Sequence, residues 1–347
     1  MWPGPDDPDY GAFVRDMCGA LEERGLVVDH AAIDTRAGGP RRTPAKYARL
    51  LAEGLRRARG ADVVYAHYLF PTGAVAATIR RRTGLPYVVT AHGGDVRNLE
   101  RRAVRRGTEA ALGEASAVIA VSGYLADELR ASGLRLPPVH VANMGVDLRR
   151  FRPVPRAEAR AALGLPSRAP LVLAVGGLTA RKDPLTLLQA FARVRAARSD
   201  ALLALVGDGP LAAAVRAGAA RLGLADAVAM TGALPHEDLP AWFAACDLLS
   251  LVSRVEPLGV VALEAMASGR PVVATTVGGT PEVVPATAGA VVRPGDPRAA
   301  ADAMLALLAD PPSPEACRRA AEAHGLDRQA ARVAAILAEA AGRRAPA

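Results

Sequence analysis

Aromatic residues make up only 4% of this 347-residue chain, and it holds only three cysteines. So few rings leave little to stack on bases, and neither zinc-finger cysteine spacing nor a basic recognition helix accompanies them, which excludes the familiar nucleic-acid modules. Cys18, Cys246 and Cys317 are widely spaced and odd in number. They offer no metal-ligand pattern and no disulfide framework, so a reducing compartment, the cytoplasm, is expected. No run is long enough to span a bilayer, and the opening MWPGPDDPDYG lacks the basic segment and apolar core of a signal peptide. No GxGxxG opens a helix, which argues against a dinucleotide oxidoreductase.

What is present is apolar and alternating. Hydrophobic residues make up 51% of the chain, and length and composition together predict two domains. Short apolar runs alternate with longer helical patterns, the signature of parallel sheets covered by helices. Expected strands are 26–33, 62–66, 86–91, 117–121 and 139–142 in the first half. In the second half they are 171–175, 202–206, 227–230, 248–251, 272–274 and 290–292. The linker GVDLRRFRPVPRAEARAALGLPSRAP, with its four prolines, divides a domain at 1–150 from one at 151–325. A last helix, about 326–341 within a tail at 326–347, could cap either domain. The fold class is α/β, two Rossmann-like domains whose parallel sheets face across a cleft, so function should sit in strand-to-helix loops.

One element is missing from that plan. The chain opens with a loop and then the helix AFVRDMCGALEERG, where a first strand is normal. This reads as an absent N-terminal strand, with Met1 an internal methionine of a longer frame or the chain a truncation. The DPD at Asp7 to Asp9 mimics an Asp-x-Asp metal motif but follows no strand, so it is read as loop, and no metal is expected.

Two stretches carry chemistry. In SRVEPLGVVALEAMASG, Glu264 lies among Val260, Val261, Leu263, Met266 and Ala267. A buried carboxylate costs several kcal/mol unless a partner is found. Pro257 and Gly259 break the chain before a helix, Glu256 stands just ahead of it, and the amides of Leu258, Gly259 and Val260 would form an anion site at its start. In GGLTARKDPLTLLQAF, Asp183 and Pro184 are an N-cap and first helical position, with Arg181 and Lys182 immediately before them. Cations there oppose the helix dipole, and an anion between them would remove the penalty; otherwise they are two solvated loop charges. Together the stretches suit a diphosphate flanked by sugar hydroxyls, with ribose hydroxyls as the partner of Glu264.

The block EPLGVVALEAMASGRPVVATTVGGTPEVV, with GGLTARKD and LVGDGPL upstream, resembles the donor half of retaining glycosyltransferases of family 4, which have the GT-B fold. DYGAFVRDMCGALEERG, HYLFPTGAVA, VVTAHGGD and VIAVSGYLADEL extend the resemblance over nearly the whole chain. It implies transfer of a sugar from a UDP-, GDP- or ADP-sugar to an acceptor hydroxyl of a glycan or lipid-linked glycan, without cofactor or metal. Arg181 and Lys182 would hold the diphosphate and stabilise charge on the leaving group. Glu264 would bind the ribose and Glu256 the transferred sugar, whose hydroxyls and phosphates would meet the amides of Leu258, Gly259 and Val260. His92 would face that sugar across the cleft. Gly11 and Gly177 would lie in the glycine loops at the donor phosphates, and Gly207 in a turn lining the nucleotide. Asp95 either orients the acceptor or caps the next helix.

Net charge is +8, and Arg97, Arg101, Arg102, Arg105 and Arg106 fall on one expected helix. They read either as a solvated face or as contact with anionic lipid or a lipid-phosphate acceptor, at the inner face of the plasma membrane. Two rival functions stand beside transfer: a sugar-nucleotide epimerase of related fold, and a decayed, non-catalytic binding protein.

Overall fold

The computed structural model describes residues 2, 11–35 and 42–343 of the chain. They fall into two compact units, one formed by residues up to Gly145 together with those from Leu326, the other by Val146–Gly325. The DPD sequence lies outside the described residues.

The first unit holds four parallel strands, β1 (Val64–His67), β2 (Tyr87–Ala91), β3 (Ala117–Ala120) and β4 (Val139–Val141), in the order β1-β2-β3-β4. β2 and β3 are buried along their whole length. That is why they read as continuous apolar runs rather than alternating ones. The Leu326–Ala340 helix packs on β2 and on the Ala12–Glu22 helix, placing Val333, Ala334 and Leu337 in this unit's core.

Two expectations are corrected here. Residues 26–33 form no strand: Leu26 and Val28 pack against the core, but Val27 between them is 99% exposed. The short apolar run misled because, of its side chains, Leu26 and Val28 pack on the core while Val27 points to solvent. The arginines after His92 do not share one helix either. Gly94–Arg97 is a single turn, Asn98–Glu100 a 3₁₀ turn, and Arg101 is extended before the Arg102–Leu112 helix.

The second unit carries six parallel strands: β5 (Leu171–Val175), β6 (Leu202–Val206), β7 (Val228–Gly232), β8 (Leu248–Leu251), β9 (Val272–Thr275) and β10 (Gly289–Val292). Their order is β10-β9-β8-β5-β6-β7. The chain builds outward from β5 to β7, then returns to lay β8 on the other side of β5. Order therefore reverses between β5 and β8, and ligands of open α/β sheets bind beyond the carboxyl ends at such a reversal.

A buried knot holds these two strands together at their opposite ends. Asp247, just before β8, accepts from the Leu171 amide at 2.7 Å, and its own amide donates to the Leu171 carbonyl. The Arg160 guanidinium, whose side chain is 1% exposed, donates to Asp247 and to the carbonyls of Ala245, Pro166, Ser167 and Ala169. Arg156 also pairs with Asp247, so removing Arg160 breaks one buried ion pair and leaves these four carbonyls without their donor. Arg160→Met should therefore destabilise the second unit by about 3 kcal/mol, measured by urea unfolding; a loss under about 0.5 kcal/mol, the range of a surface substitution, would contradict the assignment.

Candidate active site

Beyond β5 and β8 two loops are laced together backbone to backbone. The Arg181 carbonyl accepts from the amides of Arg254 and Val255 at 2.7 and 3.4 Å. Asp183, in left-handed conformation at φ 48°, caps the Pro184–Ala197 helix through the Thr186 amide and also accepts from Arg254 Nε at 2.6 Å. This clamp delivers Lys182 Nζ to within 2.5 Å of Glu256 Oε2. Arg181 is exposed, and among the described residues its guanidinium meets no carboxylate.

Glycines let the neighbouring backbones approach. Gly176 sits at φ 135° with Lys182 beside it, and a Cβ on Gly207, at φ 140°, would come within 2.2 Å of the Gly176 carbonyl oxygen. Gly177, the position expected to matter, is exposed and has no such constraint; Gly176 carries it. The Gly207–Pro210 turn packs on this loop, the Leu178 amide donating to the Asp208 carbonyl.

Glu256 is 8% exposed and precedes the turn Pro257–Gly259. Gly259, at φ 93°, starts the Val260–Ala267 helix. The Leu258 and Gly259 amides make no hydrogen bond among the described residues. They are open donors at a helix start, where anions are favoured. Behind the turn, the Gly279 amide donates to the Glu256 and Pro257 carbonyls, and a Cβ on Gly278 would fall 1.8 Å from the Glu256 carbonyl oxygen. Only glycine fits there.

Glu264 lies one turn into that helix, 4% exposed. Its Oε1 is 2.7 Å from His236 Nε2, and His236 Nδ1 is 3.1 Å from an Arg150 Nη1. The buried carboxylate thus has a partner inside its own unit. Its other oxygen, Oε2, is buried and has no partner among the described residues.

In the first unit His92 follows β2 and His67 ends β1. Their rings meet at 3.1 Å between His92 Nε2 and His67 Nδ1, walled by Tyr68 and Phe13. Burial pushes His92 down to about 3 and His67 well below its ordinary value, the latter also through His92. Both rings are therefore neutral and share one proton between the facing nitrogens. Asp95 is the buried organiser of this loop. Its carboxylate, 3% exposed, accepts from the amides of His92, Gly93, Val96 and Leu69. These four bonds fix the turn after β2 to the one after β1. Gly11, at φ 82°, caps the Ala12–Glu22 helix.

The structure thus brings Lys182, Glu256, Leu258, Gly259, Val260, Glu264, Gly176 and Gly207 to one end of the second sheet. His67, His236, Arg254 and Gly278 were missed in sequence. His67 stands at a strand's carboxyl end, the criterion that singled out His92, and could have been found by it. His236 and Arg254 carry no local signal, because each acts through a residue distant in the chain.

Comparison with known proteins agrees over both units. Residues 11–150 match the Glycosyltransferase Family 4 description and residues 155–324 match Glycosyl transferases group 1. D-inositol 3-phosphate glycosyltransferase 1 of Catenulispora acidiphila is 36% identical over 325 residues, 86% of this chain and 77% of that protein. The D-inositol 3-phosphate glycosyltransferase of Thermobispora bispora is 35% identical, over 80% and 71%. Among solved structures, sucrose-phosphate synthase from Thermosynechococcus elongatus superposes with a TM-score of 0.80 at 26% identity, covering 93% of this chain and 91% of that one. Anabaena HepE in complex with UDP-glucose shares the fold, with a TM-score of 0.77 at 23% identity over 95% and 97%.

The histidine pair has a consequence in acid. Unfolded, both rings titrate near 6.5, whereas the folded protein holds them neutral, so below that pH the unfolded chain binds more protons. Stability is full above pH 6.5 and falls toward pH 3 by up to about 1.4 kcal/mol per pH unit for each histidine. His92→Asn should remove one proton's worth of that slope between pH 6.5 and 4.5 in denaturant titrations. An unchanged slope would mean that His92 is not held neutral.

Proposed function

Because the chain belongs to glycosyltransferase family 4, we propose that it transfers a sugar from a nucleoside diphosphate sugar to an acceptor hydroxyl, with retention and without metal. The observation that carries this reading is the cluster at the β5/β8 reversal: a cation, two buried carboxylates and open helix-start amides within one unit. Lys182 and Arg181 take the diphosphate, the Leu258 and Gly259 amides take its oxygens, Glu256 takes sugar hydroxyls and Glu264 the ribose. The cations supply the charge that a metal would otherwise bring to the leaving group.

In the transfer step the acceptor oxygen forms a bond to the anomeric carbon on the face from which the diphosphate departs. The bond to the leaving oxygen breaks with its electron pair, and the acceptor proton passes to that phosphate. No side-chain base is required. Asp95 has its carboxylate occupied by four amides and acts by holding the His92 loop.

The sequence suggested a glycan or lipid-linked glycan as acceptor. The relatives named D-inositol 3-phosphate glycosyltransferases favour a small phosphorylated cyclitol, and an excess of eight positive charges suits an anionic acceptor. We place the work on the cytoplasmic side; among the described residues no helix is long and apolar enough to cross a membrane.

Isothermal titration with UDP, GDP and ADP tests the donor site. One nucleotide should bind, and Lys182→Ala and Glu264→Ala should each weaken it about tenfold or more, ~1.4 kcal/mol. A folded protein that binds none would favour the decayed, non-catalytic reading. Donor turnover with and without D-inositol 3-phosphate or a glycan acceptor separates transfer from epimerisation.

Membrane contact is a separate proposal, carried by the exposed Arg101, Arg102 and Arg106. Arg105 is engaged instead by the Ser132 carbonyl and Glu109. Neutralising the three exposed arginines should abolish sedimentation with anionic vesicles at low salt, and undiminished sedimentation would refute the contact.

A further inference from the structure

The buried carboxylate of Glu264 is held by a chain of groups whose proton positions can be deduced. Arginine has only donors, so the Arg150 Nη1 at 3.1 Å from His236 Nδ1 must donate to it, and Nδ1 must accept. The ring proton then sits on Nε2, which donates to Glu264 Oε1 at 2.7 Å. The Phe151 ring lies against His236 with centroids 5.4 Å apart, and Arg150 is itself drawn to Asp147, 3.6 Å from its Nε.

This chain leaves the carboxylate asymmetric. Oε1 is occupied, while Oε2 is buried and unpartnered among the described residues, on a side chain 5% exposed. An unpartnered buried acceptor costs about 1–3 kcal/mol. It is therefore a built acceptor for one hydroxyl or paired hydroxyls of a ligand. Without the His236 donor both oxygens of this buried side chain would lie unsatisfied. The His236 bond also decides which oxygen is left open, since it engages Oε1 and not Oε2.

We propose that His236 determines specificity for ribonucleotides, by holding Glu264 through Oε1 so that its unpartnered Oε2 is left for the ribose hydroxyls. This rests on the donor reading above, in which Glu264 meets the ribose. His236 is a positioning residue: it touches Glu264 and reaches the nucleotide only through it. A site built to hydrogen-bond hydroxyls discriminates strongly against analogues lacking them, because its own polar groups are left unpaired.

The test is titration of UDP, GDP and ADP, each against its 2′,3′-dideoxy analogue, with wild type, His236→Ala and His236→Gln. Wild type should prefer the ribose form at least tenfold. His236→Ala should cut that preference below threefold while leaving affinity for the dideoxy form within twofold. His236→Gln, which keeps an N–H near the Nε2 position, should restore most of the preference. A merely structural role would weaken both forms together, and that result would overturn the proposal, as would a preference indifferent to either substitution. Nitrogen-15 spectra of histidine-labelled protein, assigned by loss of one signal in His236→Gln, should give the Nε2–H tautomer; an Nδ1–H tautomer would also overturn it. If wild type binds none of the nucleotides, the donor reading falls and the specificity role with it. Binding with a ribose preference that ignores His236 sinks this inference alone.

Discussion

The reversal of strand order between β5 and β8 is the constraint on which the second unit's chemistry depends. Helices that follow two adjacent strands on opposite sides of a reversal leave a crevice at the strands' carboxyl ends. Into it run the loops bearing Lys182 and Glu256, residues 74 positions apart in sequence yet in direct contact. The buried Arg160–Asp247 knot pins the other ends of the same two strands, and the Arg254–Asp183 pair pins the loops. Both act on geometry rather than on ligand, and without them the cation and carboxylate would have no fixed separation.

Among the buried carboxylates near the strand ends, Asp95, Glu256 and Glu264 are each compensated differently. Asp95 is surrounded by backbone amides, the arrangement that lets a carboxyl stay ionised although burial raises its pKa. Glu256 faces a lysine and accepts weakly from Ser253 at 3.4 Å. Glu264 has one histidine donor and one open oxygen. The degree of satisfaction sorts them by role. A fully satisfied group is scaffold, whereas groups with exchangeable or missing partners are those a ligand can engage.

Much of this was legible in the sequence because it is local. Ten of the eleven expected strands lie where apolar runs are bounded by turn residues, and the Asp183-Pro184 cap and the Gly259 helix start are encoded within a few residues. Residues 26–33 failed because an apolar run records only what could be buried; whether a partner strand lies alongside is a property of the fold. The arginine run failed because Asn98–Glu100 tightens into a 3₁₀ turn and Arg101 extends, breaking a pattern that composition alone suggests is continuous. Sequence posed the question of what pairs with Glu264 but could not name His236, 28 residues earlier on another element. Long-range pairing has no periodicity to read.

On the proposed donor reading, the Lys182–Glu256 contact also couples the two halves of the donor. With no ligand the ammonium and carboxylate satisfy each other in a half-buried setting. A diphosphate that draws Lys182 away leaves Glu256 as a buried charge without its partner, a state costing several kcal/mol. A nucleoside diphosphate alone must bear that cost, whereas a sugar-bearing donor brings hydroxyls that donate to the freed carboxylate. Intact donor is thereby favoured over the product nucleotide by interactions that exist only while the sugar is attached. The same pairing that keeps the empty site stable then helps to release product, because Glu256 recaptures Lys182 once the sugar has left.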